Sequence, residues 1–451
     1  MIVEDGLPQP RRFWAMLTIL VAVAMATLDT AIANMALPTI SADLKVSAAA
    51  AVWVITCYQL VMVATLLPFA TLGEIWGHRT VYLFGIAVFT AASLLCALSP
   101  TLLSLCIARA IQGIGASAIM SVNTALVRSI YPARYLGRGT GLTALVVAVS
   151  FALGPTVAAA ILEVAPSWVW LFAINVPFGF AALALAIPAL PATEKLARSF
   201  DYTGAVLNAG AFGFLILALG EGTHHAAIAE ILGEIGIAGL LGFVLLRYQN
   251  GKASPVFPTD LFRIRNFALS ALTAFCAFAA QGLAFVSLPF LLQVNLHLSN
   301  AQTGLLLTPW PFTVAIMGLV AGRLADRHPA GILGTIGLAI LAAGLLATAA
   351  LPPEGGSFSI IWRLAVCGLG FGFFQAPNMR ALMISAPPAR SGGASGIVAM
   401  ARLSGQATGA ALAALGFGLY GTQGPFVALA IGALFAATGA IASVLRLPSR
   451  Q

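Results

Sequence analysis

Charged residues are scarce in this sequence. Only 8% of the 451 residues are Asp, Glu, Lys or Arg, whereas about 25% is usual in soluble domains. Hydrophobic residues make up 60% of the chain, and the mean hydropathy is +0.99. This composition excludes an ordinary soluble domain, because too few polar groups remain to cover its surface. The chain is therefore predicted to be an integral membrane protein that has the lipid bilayer as its main partner.

The sequence also lacks the groups that most enzymes and pumps require. Its five cysteines, Cys57, Cys96, Cys106, Cys276 and Cys367, lie in apolar stretches at no metal-like spacing. No GxxxxGK[ST] phosphate loop occurs, which argues against an ATP-driven pump. No convergent set of nucleophile and base, or of paired acids, is found near the membrane interfaces. We therefore expect no enzyme activity, no metal site and no cofactor.

Long apolar stretches, in contrast, are abundant. Crossing the hydrocarbon core takes about 20 apolar residues, and fourteen stretches reach this length. They lie near 13–36, 51–72, 81–99, 102–124, 139–162, 168–190, 202–220, 226–247, 267–292, 302–322, 331–351, 358–383, 396–418 and 424–446. The predicted fold is an all-α membrane fold with about fourteen transmembrane helices. The first twelve residues lack the features of a cleaved secretory signal, so the first stretch is expected to remain as an anchor.

The basic residues predict the orientation of the chain. With both termini in the cytoplasm, eighteen of the 22 Lys and Arg residues fall in inner loops or tails, as the positive-inside rule requires. The net charge of +8 is then explained by topology, and no nucleic-acid partner is expected. The predicted location is a cell membrane of the bacterial inner-membrane type.

An internal repeat divides the chain into two halves. "GIGASAIMSVN" (113–123) aligns with "GLGFGFFQAPN" (368–378) at an offset of 255 residues, and at this offset Gly154 matches Gly409. Internal repeats are typical of transporters that bind substrate between their halves. Six spans with their loops would give an offset shorter than 255 residues, so two further spans are predicted between the two halves. The predicted domains are a six-helix bundle at 13–190, an extra helix pair at 202–247 and a second six-helix bundle at 267–446.

Two short loops recur after the second span of each half. "LGEIWGHR" contains Gly73, Glu74, Gly77 and Arg79, and "GRLADRH" contains Arg323, Asp326 and Arg327. An acid in such a turn can approach a helix N-terminus, where the dipole favours it, and can hold the halves in one state. The alternative is that these charges only set the topology. Gly154 and Pro155 in "SFALGPTVAAA" predict close packing and a bend, with a gating role as the second hypothesis.

Asp29 is the only acid well inside any span, and Arg109 lies at a similar predicted depth, roughly 12 Å from the outer end. Each charge costs about 2.5 to 3.5 kcal/mol in the membrane, so a functional role is the default expectation. The hypothesis is that Asp29 carries a proton and changes its exposure, or its distance from Arg109, during transport. The alternative is a permanent structural ion pair.

Other polar and aromatic residues at membrane depth are candidates for a substrate cavity, since such groups need a cavity or a protein partner. They are Asn34, Tyr58, Gln59, Asn123, Gln281, Trp310, Phe374, Gln375 and Asn378. For each of them, core packing is the alternative. Arg363 and Arg402 also lie within spans, and snorkelling, packing or carbonyl capping are the alternatives to a functional role.

The sequence resembles the major facilitator superfamily, and within it the fourteen-span drug:proton antiporter family. The resemblance rests on "LDTAIANMALPTI", "LGEIWGHR", "RAIQGIG", "LGPT", "WLFAINVPFG" and "RLSGQATGAAL". It implies the major facilitator fold and a monomeric, proton-driven exporter of amphipathic or cationic small molecules that works by alternating access. Export of one endogenous metabolite or lipid-like compound is the alternative, and a non-transporting sensor is a distant one.

Three departures from the family pattern bear on these expectations. The loop motif of the family usually has Asp followed by Arg, whereas this chain has Glu74 followed by Ile75. This difference predicts that the first loop holds the halves in one state less strongly. Ser150, Ala158 and Ala159 replace glycines of the antiporter motif. The extra membrane acids of some cation exporters are missing from the tenth and thirteenth spans, so a divalent organic cation is a poorer candidate substrate than a monovalent or zwitterionic one.

Overall fold

The computed structural model describes residues 6–165, 167–193, 195, 199–221, 228–249, 259–352, 356–387 and 391–446. In these residues all regular structure is helical. The α-helices are α1 (Arg11–Asp43), α2 (Ala48–Trp76), α3 (His78–Ala97), α4 (Leu102–Ile130), α5 (Leu136–Val164), α6 (Val169–Ala173), α7 (Asn175–Ala189), α8 (Tyr202–Glu221), α9 (Ile228–Gln249), α10 (Arg265–Phe290), α11 (Asn300–Leu307), α12 (Pro309–Leu324), α13 (Ala330–Ala349), α14 (Ser357–Ser385), α15 (Ser391–Tyr420) and α16 (Gly424–Val444).

Eleven helical segments of the described residues are long and apolar enough to cross a membrane. One of them, Gly393–Val444, contains most of α15 and all of α16, whereas α8 and α9 fall outside this set. The all-helical membrane architecture predicted from the sequence is therefore confirmed. The number of fourteen spans stays a prediction.

Two predicted spans are divided into shorter helices. The stretch at 168–190 consists of α6 and α7, and the stretch at 302–322 consists of α11 and α12. Pro177 lies in the first turn of α7, and Pro309 is the first residue of α12. A proline lacks the N–H that continues a helical hydrogen-bond ladder, but it is well accepted in a first turn. Each span therefore restarts within one turn of its proline.

The same set of helix contacts occurs in both halves of the chain. In the N-terminal half α1 packs on α5 and α7, and α4 packs on α2 and α3. In the C-terminal half α10 packs on α15 and α16, and α14 packs on α12 and α13. The two sets correspond to each other under the sequence repeat. Each half is thus a bundle of the same design.

Repeat-related glycines make these close contacts possible. A Cβ atom on Gly113 would lie 2.6 Å from the Tyr58 carbonyl oxygen of α2, and one on Gly368 would overlap the Trp310 carbonyl oxygen of α12. Small residues of this kind let helix backbones approach closely in membranes, where apolar burial gives no driving force between helices. The glycine pattern of the sequence repeat therefore determines helix packing in both halves.

One end of the bundle contains the start of the chain, and we call it the N-side face. There the Leu7 N–H donates to the Ile130 carbonyl oxygen at 3.0 Å, and Arg11 Nε donates to the Ala189 carbonyl oxygen at 3.2 Å. At the opposite end, the far face, the two halves touch through α1 with α10 and α5 with α11. The hydroxyl groups of Thr156 and Thr308 lie 3.0 Å apart across this contact.

The extra helix pair lies beside the junction of the two halves. α8 packs on α9, and it also contacts α2 of the first half and α15 of the second. The buried Asn208 Nδ2 of α8 donates to the Ala64 carbonyl oxygen of α2 at 3.0 Å. α8 therefore spans one of the two seams between the halves.

Candidate functional site

A buried ion pair lies inside the N-terminal half. Arg109 Nη1 on α4 is 2.5 Å from Asp29 Oδ2 on α1, and the two side chains are 0% and 1% exposed. Thr101 caps α4 through the Ser104 N–H and thereby fixes where this helix begins. The structure thus brings together the two residues whose equal depth was read from the sequence.

Two amide side chains complete the coordination of the carboxylate. Asp29 Oδ1 accepts hydrogen bonds from Gln112 Nε2 at 3.0 Å and from Asn175 Nδ2 at 2.8 Å. Gln112 also accepts from Arg109 Nη1 at 2.5 Å and donates to Ser93 Oγ at 2.9 Å. The sequence analysis did not select Gln112 or Asn175 as site residues. Both lie in stretches that carry the family resemblance, "RAIQGIG" and "WLFAINVPFG". Their position in these stretches could have identified them as site residues.

Aromatic rings and a main-chain group enclose the guanidinium of Arg109. Its Cζ lies 4.2 Å from the centroid of the Tyr58 ring and 5.4 Å from that of Phe172, within the range of cation–π attraction. Arg109 Nε donates to the Val54 carbonyl oxygen at 3.1 Å. Tyr58 and Phe172 are both buried, and the ion pair itself has almost no exposed surface in this conformation.

A cavity of about 350 Å³ lies between the two halves. Most of its lining comes from the parts of α2, α4, α14 and α15 that are nearer the N-side face, and α1, α5 and α10 contribute one residue each. Three predicted site residues line it: Asn123, Gln375 and Arg402. Methionines 120, 379 and 383 also line it, and the sequence analysis did not select them. The cavity between the halves therefore lies toward the N-side face, whereas α1 meets α10 and α5 meets α11 at the far face.

Arg402 is the one charged residue among the described residues that line this cavity. It is half-buried, and no hydrogen bond or ion pair to its guanidinium is found in the described part of the chain. Arg402 also borders a smaller space of about 20 Å³ together with Tyr58, Gln59 and Gln406. Tyr58 therefore stands between the ion pair and the space beside Arg402.

The remaining amide candidates lie deeper between the halves. Gln281 Oε1 accepts a hydrogen bond from Gln406 Nε2 at 3.1 Å, which links α10 to α15. Asn34 and Gln59 both line a gap of about 10 Å³, and each has a buried side-chain oxygen without a hydrogen-bond partner among the described residues. These two oxygens are available to a ligand if the gap widens.

Several candidates lie away from the cavity. Asn378 Nδ2 donates to the Ser270 carbonyl oxygen at 3.1 Å, and its Oδ1 accepts from Arg446 at 2.7 Å. Phe374 is buried against Phe371, with ring centroids 5.8 Å apart. These contacts lie within the C-terminal half and give Asn378 and Phe374 packing roles in this conformation.

Trp310 and Arg363 lie nearer the far face. Trp310 is buried against Phe285, with ring centroids 5.3 Å apart, and borders an outer space of about 30 Å³ together with Asn34 and Pro155. Arg363 Nε donates to the Ala347 carbonyl oxygen at 2.9 Å. Arg363 therefore holds α14 against α13 and does not contact the described cavities.

The two loop motifs are held by different contacts. In the first, Gly77 has a φ of +93°, and Arg79 donates to the Ile187 carbonyl oxygen at 2.6 Å. Gly73 faces Val122 of α4, and Glu74 precedes the turn. In the second, Asp326 pairs with Arg380 of α14 at 3.4 Å. The neighbouring Arg323 and Arg327 lie at the end of α12 and in the turn after it.

The antiporter-motif residues lie at contacts between helices. A Cβ atom on Gly154 of α5 would overlap the Cβ of Ala31 of α1, and the Pro155 carbonyl oxygen faces Gly304 of α11. Gly154 thus permits close packing within the first half. Pro155 belongs to the far-face contact between the halves.

Comparisons with known proteins agree with this architecture. The family model of the Major Facilitator Superfamily matches residues 19–409 and 270–451. The "Uncharacterized transporter YebQ" of Escherichia coli K12 is 49% identical over 98% of this chain and 97% of its own length. The riboflavin transporter RibZ of Clostridioides difficile is 33% identical over 84% of this chain and 82% of its own. The multidrug resistance protein Stp of Mycobacterium tuberculosis is 30% identical over 86% and 72%.

The solved structures support the same fold at low identity. A POT family transporter crystallised with a thioalcohol-conjugated peptide superposes with a TM-score of 0.73, at 13% identity, over 94% of each chain. At this identity the likeness concerns the fold alone. Together with the family match over nearly the whole sequence, it shows that this chain is a multi-pass membrane transporter that belongs to the major facilitator superfamily.

Proposed function

We propose that this protein is a proton-coupled secondary exporter of amphipathic small molecules, of the multidrug-efflux type, and that Asp29 binds the transported proton. The observation that carries the proposal is the occluded Asp29–Arg109 pair within the N-terminal half. An ionised carboxylate at this depth is tolerated only while the arginine and the two amides compensate its charge. Binding of a proton removes the need for that compensation.

Protonation would change the balance of charges in the first half. The neutral acid would attract the guanidinium less strongly, and Arg109 would keep the Val54 carbonyl, Gln112 and the Tyr58 ring as partners. A shift of one charge inside a packed bundle can move an equilibrium between two conformations. Asp29 is therefore the group through which a proton gradient would act.

Alternating access accounts for the cavity and the closed far face. The cavity lies on the N-side, and the far-face contact includes the Thr156–Thr308 hydroxyl pair. Opening to the other side requires this contact to separate and the N-side gap to close. We assign the N-side to the cytoplasm, because the basic loops lie there, and propose fourteen spans in a bacterial inner membrane. One chain contains both halves and the cavity, so the proposed unit is a monomer.

The test uses proteoliposomes with an acidic lumen and two dansyl dyes of opposite charge, dansylcadaverine and dansylglycine. Gradient-driven uptake of at least one dye is expected to be greater with the native protein than in protein-free vesicles, which measure the passive trapping of the amine dye in the acidic lumen. Asp29→Asn is expected to bind the dye but to lose gradient-driven uptake. Native-like coupling in Asp29→Asn would contradict the proposed role of Asp29. Dye uptake by the native protein that is independent of the proton gradient would contradict proton coupling.

A transporter for one metabolite is the second candidate function. It is favoured by the polar part of the cavity, where Arg402, Gln375 and Asn123 lie together. A relative at 33% identity is named a riboflavin transporter. Competition experiments with a panel of polar metabolites and unrelated amphipathic compounds distinguish the two candidate functions. Many unrelated amphipathic compounds would displace the dansyl dye from a multidrug site, whereas one metabolite would displace it from a dedicated site.

A further inference from the structure

The two arginines that lie near the middle of the molecule differ in how their charge is compensated. Arg109 has Asp29 at 2.5 Å, so the pair carries no net charge while the acid is ionised. Arg402 has no acid nearby: among the described residues that line its cavity there is no Asp or Glu. The cavity between the halves is therefore positively charged.

An uncompensated arginine at membrane depth is expensive and is expected to serve a ligand or a partner. The Arg402 guanidinium makes no hydrogen bond with the described residues, so all its donors are available to a molecule in the cavity. By contrast, Arg363 is satisfied by the Ala347 carbonyl and Ser359. The difference indicates that Arg402 is kept for binding and Arg363 for packing.

The rest of the lining fits one end of an amphipathic molecule. Asn123 has a buried side-chain oxygen without a partner among the described residues, and Gln375 lines the same cavity. Met120, Met379 and Phe278 supply an adaptable apolar wall. A single guanidinium matches one carboxylate, with two parallel hydrogen bonds, whereas a phosphate dianion would leave charge uncompensated.

We propose that this cavity binds amphipathic acids or zwitterions through a carboxylate held by Arg402, and that it selects against lipophilic cations. The inference rests on the proposed function, in that it assigns a substrate class to the same transport cavity. It does not depend on Asp29 or on proton coupling.

Equilibrium binding tests the inference without transport. Native protein in lipid nanodiscs is titrated with dansylglycine, an anion, and with dansylcadaverine, a cation with the same fluorophore. Native protein is expected to prefer dansylglycine. Arg402→Gln is expected to weaken dansylglycine binding tenfold or more, while dansylcadaverine binding stays unchanged or tightens. Arg402→Lys should retain part of the preference, because it keeps the charge but loses the two-point geometry.

The ratio of the two affinities within one sample is independent of the fraction of folded protein. Gln375→Glu places an acid in the same cavity and is expected to lower the preference without removing Arg402. Arg363→Gln, which removes a charge outside the cavity, should leave the ratio unchanged. Asp29→Asn should keep the preference even if proton coupling fails. Equal affinity of native protein for both dyes, or an equal loss of both in Arg402→Gln, would overturn the inference.

Discussion

Asn175 offers a direct test of how the site holds its charge. Asn175 Nδ2 donates to Asp29 Oδ1 at 2.8 Å, and both residues are buried. A hydrogen bond to an ionised carboxylate is stronger than one to a neutral group. Asn175→Leu keeps the size and branching of the side chain but removes the donor. The buried carboxylate of Asp29 then loses one of its donors, so the folded protein is expected to be less stable.

The magnitude follows from the strength of a hydrogen bond to a charged group. Such a bond contributes about 1.5 to 3 kcal/mol. Asn175→Leu is therefore expected to lower the free energy of unfolding by about 1.5 to 3 kcal/mol. Gln112 and Arg109 remain as partners of the carboxylate, so the loss should stay smaller than the loss from breaking the ion pair.

The assay is reversible denaturation of the detergent-solubilised protein at neutral pH. The same substitution is also made in an Asp29→Asn background, where the carboxylate is absent and the loss should be smaller. Asn208→Leu is the matched control, since Asn208 is also buried but bonds to the Ala64 carbonyl outside this network. An unchanged free energy of unfolding in Asn175→Leu, or an equal loss in the Asp29→Asn background, would refute the charge-stabilising role of Asn175, and an equal loss in Asn208→Leu would show a non-specific effect.

The other predictions concern the ion pair and the far-face contact. Arg109→Met is expected to lower the free energy of unfolding by about 3 to 5 kcal/mol, because it leaves a buried charge unpaired. The double variant with Asp29→Asn should recover most of this loss, as measured by denaturation in detergent. Additive losses from the two substitutions would contradict the pairing. Thr156→Cys with Thr308→Cys should form a disulfide, since the native hydroxyl oxygens are 3.0 Å apart. Oxidation should then stop dye uptake and reduction should restore it, whereas uptake by the oxidised form would exclude opening at this contact.

Equal depth along two helices was enough to bring Asp29 and Arg109 together in the sequence analysis, because position along a span converts directly into height in the membrane. Gln112 and Asn175 were missed because an amide costs less than a charge in the membrane and does not stand out by composition. Asn378 was selected for its depth alone. Its side chain turns into the C-terminal half and bonds with Ser270 and Arg446, and the side to which a residue faces depends on helix rotation.

The packing of the repeat was more accessible to sequence reasoning than the cavity. Glycines at an offset of 255 residues indicated that the same close contacts occur in both halves. The structure has such a pair, in which Gly113 faces α2 and Gly368 faces α12. The cavity lining depends on how far the two bundles are tilted apart. That tilt belongs to one conformation of the molecule, and a single sequence encodes more than one.

Protonation of Asp29 and binding of an acid at Arg402 are linked through Tyr58. Arg109 contacts the Tyr58 ring, and Tyr58 borders the same small space as Arg402. When Asp29 is protonated, the charge of Arg109 is uncompensated. Two unit charges about 10 Å apart interact by roughly 1 to 2 kcal/mol at an effective dielectric constant of about 20, so a charge at such a distance would favour a bound carboxylate to this extent.

Asp29→Asn removes the acid and leaves the charge of Arg109 uncompensated, so this variant is expected to bind dansylglycine about tenfold more tightly than the native protein does. Dansylcadaverine should show the opposite change, because the uncompensated charge repels a cation. A proton on Asp29 and an acid at Arg402 then favour each other's binding, so exchange cannot arise from competition between them. It must arise from the conformational step, in which only the protonated empty form and the deprotonated loaded form change their side of access. Weaker dansylglycine binding in Asp29→Asn than in the native protein would refute this linkage.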